Sequence, residues 1–307
     1  MGGADGRSWR EGLRQRAAGE IRFDEPADRH TSLGVGGRID ALAFPRDASE
    51  VGKIADYLRE RRIPFLPVGN WTNLIVTEGG YRGALISLTN LRTLEMREGG
   101  GKEVIVEAGA GVPLAELVTL ALEEGLAGME FCAGIPGSVG GAVRMNAGAY
   151  GGAMQDVILA VRLLDAAGMR LIPRGSLFFA YRSLDLPAET IIIGATFRLI
   201  RGARAKIAER VGEILTLRRG KHPLEFRNAG SIFKNPPSVP AGRIIEEAGL
   251  KGMRIGDAEV SPMHGNFIVN RGKASAAEII ALIDLVRKRV YETTGHLLET
   301  EVRIIGE

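Results

Sequence analysis

Followed along its apolar positions, the chain opens on a polar stretch, residues 1–19, that predicts a partly helical lead-in. IDALAFP (39–45) predicts a strand. In DASEVGKIADYLRERR (47–62), Val51, Ile54, Ala55 and Leu58 share one helical face, and Asp47 with Glu50 has capping-box spacing. IPFLPVG (63–69) is again an apolar strand, so the three segments predict a strand–helix–strand unit with its strands paired in parallel.

GALISL (83–88) and EVIVEAG (103–109) predict further strands. PLAELVTLALEEG (113–125) predicts a helix with Pro113 in its first turn, an apolar face of Leu114, Leu117, Val118, Ala121 and Leu122, and Gly125 after it. VILAVRLLDAAGMRLI (157–172) predicts a hairpin turning at AAG, and TIIIGATFRLI (190–200) a buried strand. The composition then shifts. ARAKIAERVGEILTLRRGK (203–221) reads as an amphipathic helix over Ile207, Val211, Ile214 and Leu215, followed by the short helix AGRIIEEAG and the strand NFIVN. A last helix opens at Ser275, capping-box spaced with Glu278, and buries Ile279, Leu282, Ile283, Val286 and Val290. LLETEVRII (297–305) alternates as a strand, with Glu299, Glu301, Arg303 and Ile305 on one face. A domain boundary is expected near residue 202.

A length of 307 residues allows more than one core. The net charge of +3 shows no basic stripe interleaved with aromatics, so nucleic acid is not an expected partner. Cys132, the single cysteine, excludes an internal disulfide framework and a cysteine-rich zinc site. No metal is expected from His30, His222, His264 and His296, which form no ligand pattern. The first residues lack an apolar signal region and no apolar run reaches a membrane-spanning length, so a cytoplasmic protein is expected.

The chemistry begins at GIPGSVGGAVRMNAGAYGG (134–152), which holds seven glycines and three alanines and one charge, Arg144. Backbone this bare suits tight turns, or a ligand lying against the main chain with successive N–H groups cradling a pyrophosphate. A second small-residue loop, VGNWTNLIV (68–76), follows the strand–helix–strand unit, and together the two loops favour nucleotide binding. VIVEAGAGVPLAEL (104–117) is the nearest approach to a Rossmann fingerprint, but Leu114 stands where the third glycine belongs, and no P-loop is present.

GIPGSVGGAVRMNAGAYG, NAGSIFKNP, AGRIIEEAGLKG and LETEVRIIG occur in the order found in UDP-N-acetylenolpyruvoylglucosamine reductases, and from about His30 to its end the chain resembles that family. The short loop after Arg182 resembles the subtype without a tyrosine-bearing insertion. The resemblance implies an α+β fold: a two-part FAD-binding domain of the vanillyl-alcohol-oxidase (PCMH) type plus a C-terminal α/β substrate domain. It divides the chain into the lead-in 1–19, FAD-binding subdomains 20–88 and 89–201, the latter joined by the strand 297–307, and a substrate domain 202–296. Non-covalent FAD is implied at Thr31 and Ser32 of HTSLGVGG, and at Gly69, Asn70, Trp71, Thr72, Asn73 and Leu74 of the middle loop. In the glycine-rich segment the matching positions are Gly134, Ile135, Pro136, Gly137, Ser138, Gly140, Gly141 and Ala142, then Asn146, Gly148 and Ala149. The family usually carries a more glycine-rich middle loop; Trp71 is this chain's departure.

The implied reaction, with NADPH as reductant, turns an enolpyruvyl ether of a UDP-sugar into a lactyl ether for peptidoglycan-precursor synthesis. Ser231 of NAGSIFKNP matches the family's proton donor, Arg182 its active-site arginine and Glu301 its glutamate; spacing alone does not choose between Glu299 and Glu301. Tyr150, Lys221, Lys234, Asn235, Arg243, Lys251 and His264 are the implied substrate contacts. A monomer is expected. The rival readings are another flavin-dependent oxidoreductase, such as an alcohol or hydroxy-acid oxidase, and a nucleotide-binding protein without catalysis.

Overall fold

The computed structural model describes residues 5–237 and 239–307. The first four residues of the expected lead-in lie outside them. In chain order the elements run α1 (Asp5–Arg16), β1 (Glu20–Pro26), β2 (Arg38–Phe44), α2 (Ala48–Glu60), β3 (Phe65–Val68), β4 (Leu74–Val76) and β5 (Tyr81–Ser87). Next come β6 (Leu94–Gly100), β7 (Glu103–Gly109), α3 (Leu114–Glu123), β8 (Leu126–Ala127), α4 (Val139–Arg144), β9 (Gly148–Ala149), β10 (Gly152–Ala153) and α5 (Met154–Val157). After them lie β11 (Ile158–Asp165), β12 (Gly168–Pro173), β13 (Phe179–Ala180), β14 (Ser183–Leu184), β15 (Ile191–Arg201) and α6 (Arg204–Lys221). The chain finishes with β16 (Arg227–Asn228), α7 (Ala241–Glu247), β17 (Arg254–Ile255), β18 (Ala258–Val260), β19 (Ile268–Asn270), α8 (Ala276–Thr294) and β20 (Arg303–Ile305).

Two compact units result. The first holds the described part of Met1–Phe23, with Ala41–Asn70 and Gly83–Thr216; the second holds Asp24–Asp40, Trp71–Arg82 and Leu217–Glu307. The boundary therefore falls inside α6 rather than near residue 202.

In the first unit α2 forms as its sequence predicts. Asp47 caps it by accepting from Glu50 N at 2.8 Å, but Glu50 does not close the box; its carboxylate accepts from Gly19 N and Arg46 N instead. Trp9 and Leu13 of α1 join the core formed by Val51, Ile54, Tyr57 and Leu58, and Tyr57 Oη donates to Trp9 O at 3.0 Å. The lead-in is thus part of a core, and each such buried side chain contributes about 1.5–3 kcal/mol. The first sheet runs β1-β2-β5-β3, and β3 pairs in parallel with β5, not with β2 as expected. Long β5 supplies the run ALIS, buried throughout, which fits the central position.

The larger sheet of this unit orders β12-β11-β15-β7-β6, all antiparallel neighbours. The β11–β12 hairpin turns at Ala166–Ala167 as predicted, with Asp165 Oδ1 accepting from Ala167 N. Against this sheet pack α3 and α4 in a core that includes Val106, Leu117, Val139, Val143 and Phe197. Pro113 is the N-cap of α3 rather than a first-turn residue.

The second unit has the sheet β16-β19-β18-β17 covered by α8. Ser275 and Glu278 form the full predicted capping box, and the expected stripe from Ile279 to Val290 is buried. The C-terminal strand is shorter than its alternation suggests. Only Arg303–Ile305 pairs, in parallel with β4, while Thr300 bridges to Phe233. Its partner, β4, is therefore not a strand of 89–201, to which 297–307 was expected to join. No helix among the described residues is long and apolar enough to cross a membrane.

Candidate active site

The residues singled out by sequence divide between the units. In the first unit, the glycine-rich segment is stitched to the β7–α3 loop: Val139 N donates to Val112 O, Gly140 N to Ala110 O, and Leu114 N to Gly137 O. A Cβ on Gly140 would lie 2.8 Å from that of Ala110, and one on Gly148 would lie 2.7 Å from Gly152 O. For these two glycines the protein's own packing is the reason no side chain is permitted. Gly109 and Gly111 of the Rossmann-like stretch are likewise filled by the chain, at Leu91 O and Leu88 O.

Gly141 differs. It is exposed, its φ is not positive, and a Cβ there would meet only Ser138 Oγ, at 3.9 Å. Gly69, from the other small-residue loop, approaches the same atom; a Cβ on it would stand 2.3 Å from Ser138 Oγ. Ser138 is 2% exposed, and its hydroxyl has no hydrogen-bond partner among the described residues. A buried unpartnered hydroxyl between two bare backbones suits a polar ligand. Of the other matched positions, Ala142 is buried in α4, Ile135 packs against its core, and Gly134 and Gly137 have φ of 71° and 135°. Asn70 and Pro136 lie in the loops between elements.

Two tight hairpins complete this half. In β9–β10 the two loop residues, Tyr150 and Gly151, both have positive φ, the geometry of a type I′ turn. In β13–β14 the loop residues are Tyr181 and Arg182, and Arg182 takes φ 58° where turn chemistry favours Gly or Asn. Its Nη1 donates to Gly148 O at 2.7 Å, so the tip of one hairpin is anchored on the base of the other. Among the described residues six non-glycines have positive φ, and four are residues matched to the site: Trp71, Asn146, Tyr150 and Arg182. Such strain costs about 1–3 kcal/mol per residue and collects at functional positions.

In the second unit, Thr31 Oγ1 donates to Val35 O and accepts from Val35 N, so its hydroxyl closes its own loop. Ser32 N donates to Trp71 O, while Ser32 Oγ is buried with no partner among the described residues. Trp71 is buried yet belongs to none of the three apolar cores; its ring stacks on His30, at 5.3 Å between centroids, and His30 Nε2 meets Glu25 Oε1 at 2.9 Å. Thr72 follows it, and Leu74 starts β4. Asn73 Nδ2 donates to Glu301 O at 3.0 Å, and Arg303 N to Asn73 O.

Ser231 follows Gly230, whose φ is 73°. The next two residues are pinned from one side by Asn266: Ile232 N donates to its backbone carbonyl, and Phe233 exchanges two hydrogen bonds with its side-chain amide. From the other side Glu301 N donates to Ile232 O at 2.8 Å, and Lys234 N to Glu299 O. Ser231 and Glu301 are thereby brought onto one backbone framework. Asn266 was missed by the sequence reading, because nothing in GNFIVN distinguishes a bracing amide from a turn residue.

The expected substrate-contact cations are mostly paired. Lys234 Nζ meets Glu299 Oε1 at 2.5 Å, Lys251 meets Glu246 at 2.7 Å, and exposed Arg243 meets Glu247 at 2.7 Å. Asn235 Oδ1 accepts from Ala241 N. His264 Nδ1 accepts from Asn266 N, which leaves the ring proton of the neutral form on Nε2. Rings of His222 and His264 lie 5.7 Å apart, each 4.9 Å from Phe267. Burial, then Arg218, His264 and Lys221, holds His222 down to about 4; burial and Lys251 lower His264. Lys221 ends α6 on an exposed position beside this pair in sequence. Among the described residues no group of three or more His, Cys, Asp or Glu could hold a metal ion.

Taken unit by unit, the loops have the chemistry to meet a phosphate-bearing cofactor: Ser138 in one and Ser32 in the other are buried unpartnered hydroxyls on bare or strained backbone.

Comparison with known proteins bears directly on these loops. A family model described as FAD binding domain matches residues 39–172, and one described as UDP-N-acetylenolpyruvoylglucosamine reductase, C-terminal domain, matches residues 222–305. The chain is 50% identical over 299 residues to the UDP-N-acetylenolpyruvoylglucosamine reductase of Syntrophus aciditrophicus (strain SB), covering 97% of this chain and 96% of that one. It is 44% identical over 289 residues to the enzyme of the same name from Pelobacter propionicus, covering 94% and 97%. Among solved structures, UDP-N-acetylenolpyruvylglucosamine reductase from Thermus caldophilus superposes with a TM-score of 0.78 at 34% identity, covering 93% of this chain and 98% of that one.

Proposed function

The chain belongs to the UDP-N-acetylenolpyruvoylglucosamine reductase family and is an FAD-dependent oxidoreductase, and from that premise we propose how its own residues divide the reaction. The substrate is the enolpyruvyl ether of UDP-N-acetylglucosamine, the product UDP-N-acetylmuramate, and NADPH the reductant. The enzyme acts in the cytoplasm, as a monomer.

FAD would be held by residues of the loops around Gly69, Ser138 and Gly141, with Ser32 and Trp71 as further candidate contacts, and when bound it would supply hydride chemistry to the substrate's vinyl group. The inner carbon of that group gains a proton from Ser231 Oγ. A hydroxyl is a weak acid, so it serves only against a strongly basic, enolate-like carbon, and the resulting alkoxide needs cationic neighbours. Arg182 binds the carboxylate on which charge gathers, its planar guanidinium fork matching the two carboxylate oxygens. Glu301 positions that end of the substrate or takes part in proton handling. Segments within 20–201 carry the cofactor chemistry. The C-terminal region takes the sugar nucleotide, with Lys221, Lys234, Asn235, Arg243, Lys251 and His264 as candidate contacts, and Tyr150 is a candidate contact outside it.

The observation that carries this reading is the shared framework of Ser231 and Glu301, joined through Ile232 O and braced by Asn266. The test is anaerobic and optical. A yellow preparation should be bleached by NADPH and recoloured by the enolpyruvyl substrate; bleaching without recolouring would defeat the assignment.

A further inference from the structure

Arg182 stands at the tip of a hairpin, and the contacts that hold this hairpin lead to residues outside every motif. Asn146, 5% exposed and at φ 41°, donates from Nδ2 to Ala180 O at 2.9 Å and to Gln155 Oε1 at 3.0 Å. Its Oδ1 accepts from Gln155 N at 3.1 Å. Both N–H groups of the amide are therefore occupied by protein, and neither is left to donate to a cofactor. In the opposite direction Arg182 Nη1 donates to Gly148 O. Residues 146–148 and 180–182 are thus tied twice.

The outer side of this tie is Gln155. Arg174 backs it in turn: Nε donates to Gln155 O at 3.1 Å, Nη1 to Leu177 O at 3.2 Å, and the guanidinium lies 4.8 Å from the ring centroid of Phe179 in β13. One arginine therefore links the residue that orients Asn146 with the strand that carries the hairpin. Its fork and flat face make three contacts that a lysine cannot make together.

We propose that Gln155, braced by Arg174, is a positioning residue for Arg182. It acts through the Asn146 amide, fixing the hairpin so that the guanidinium meets the substrate carboxylate without a search. The proposal rests on the reading of Arg182 given above. A strained left-handed arginine needs such support, because relaxation of the turn would carry its side chain away.

Single-turnover measurements on the FAD-loaded enzyme separate flavin reduction by NADPH from reduction of the enolpyruvyl substrate. Gln155→Leu removes the acceptor of one Asn146 N–H. Substrate reduction should slow by about tenfold to a hundredfold, the effect of a displacement of about 1 Å. FAD content and the rate of flavin reduction should stay within about twofold, because neither uses Arg182. Gln155→Glu keeps an oxygen at the same place and should recover to within about threefold of the parent. In an Arg182→Lys background the Gln155→Leu loss should shrink to under about twofold, since the two residues act as one device.

Retained substrate reduction in Gln155→Leu, equal loss in Gln155→Glu, or an undiminished loss in the Arg182→Lys background each overturns the proposal while leaving Arg182 in place. If Arg182→Lys itself reduces substrate at the parent rate, the reading of Arg182 falls and the proposal with it. Should Gln155→Leu fail to fold, Arg174→Met carries the same test with the same expected pattern.

Discussion

The backbone N–H of Glu301 donates to the carbonyl oxygen of Ile232 at 2.8 Å, so the glutamate is joined to the residue beside Ser231 by main chain alone. Their side chains can therefore be altered one at a time without loosening the framework that aligns them.

Ser231→Ala tests that separation. Flavin reduction by NADPH should be nearly unchanged, while substrate reduction should slow by about 10²–10⁴-fold, the contribution of a positioned proton donor. Stopped-flow absorbance of the two half-reactions decides it; equal slowing of both would show that Ser231 is not the specific donor.

Gly141 and Gly137 give contrasting glycine tests. At Gly141 a methyl group meets only Ser138 Oγ at 3.9 Å, so Gly141→Ala should leave the FAD-free protein as stable or about 0.5–1 kcal/mol more stable, as alanine is the better helix former. Its FAD affinity should fall at least about tenfold if the ligand lies on this backbone, about 1.4 kcal/mol of binding. Gly137→Val should also lose FAD retention, but φ 135° makes it destabilising without any ligand. Thermal melts with and without FAD separate the two cases, and unchanged FAD binding in Gly141→Ala would count against a ligand on that face.

Arg182→Gly should uncouple stability from activity. The substitution forfeits a hydrogen bond to Gly148 O of about 1 kcal/mol and relieves left-handed strain of about 1–2 kcal/mol. Calorimetry should therefore show a Tm little changed, while turnover is lost. A large fall in Tm would mean that the arginine is there for structure.

His222 predicts a pH dependence. Its folded value of about 4 lies below the 6.5 of an unrestrained histidine, so between these limits the unfolded chain binds the proton and the folded chain does not. The contribution is fully present above pH 6.5 and is lost as pH falls towards 4. Lowered His264 adds in the same direction. Melts of His222→Gln should show a shallower loss of Tm between pH 6.5 and 4.5 than the parent; identical slopes would rule the pair out.

How far the sequence speaks differs from element to element. The capped helix from Ala276, the hairpin at Ala166–Ala167 and the buried strand Ile191–Arg201 are legible, because local pattern and turn chemistry agree with the fold. The partner of β3 is not legible: the order β1-β2-β5-β3 depends on where a later strand inserts. Residues 299–302 alternate like a strand, yet their backbone is drawn to Ile232, Phe233 and Lys234, which no periodicity reveals. The segments 24–40 and 71–82 compact with the C-terminal region although their sequence neighbours do not. Within the site, glycine content alone would have credited a ligand with Gly140 and Gly148, where close chain packing is the cause. The supports, Asn266 and Gln155, are ordinary polar residues whose roles exist only once distant segments meet.

Ser138 carries a consequence for the protein's life in its host. Leaving a buried hydroxyl unsatisfied costs about 1–3 kcal/mol, so a flavin that meets Ser138 Oγ, as proposed, would hold the chain further from unfolding. Molecules made while riboflavin is scarce should be the ones removed first by proteolysis, and the abundance of the enzyme should follow vitamin supply even at constant synthesis.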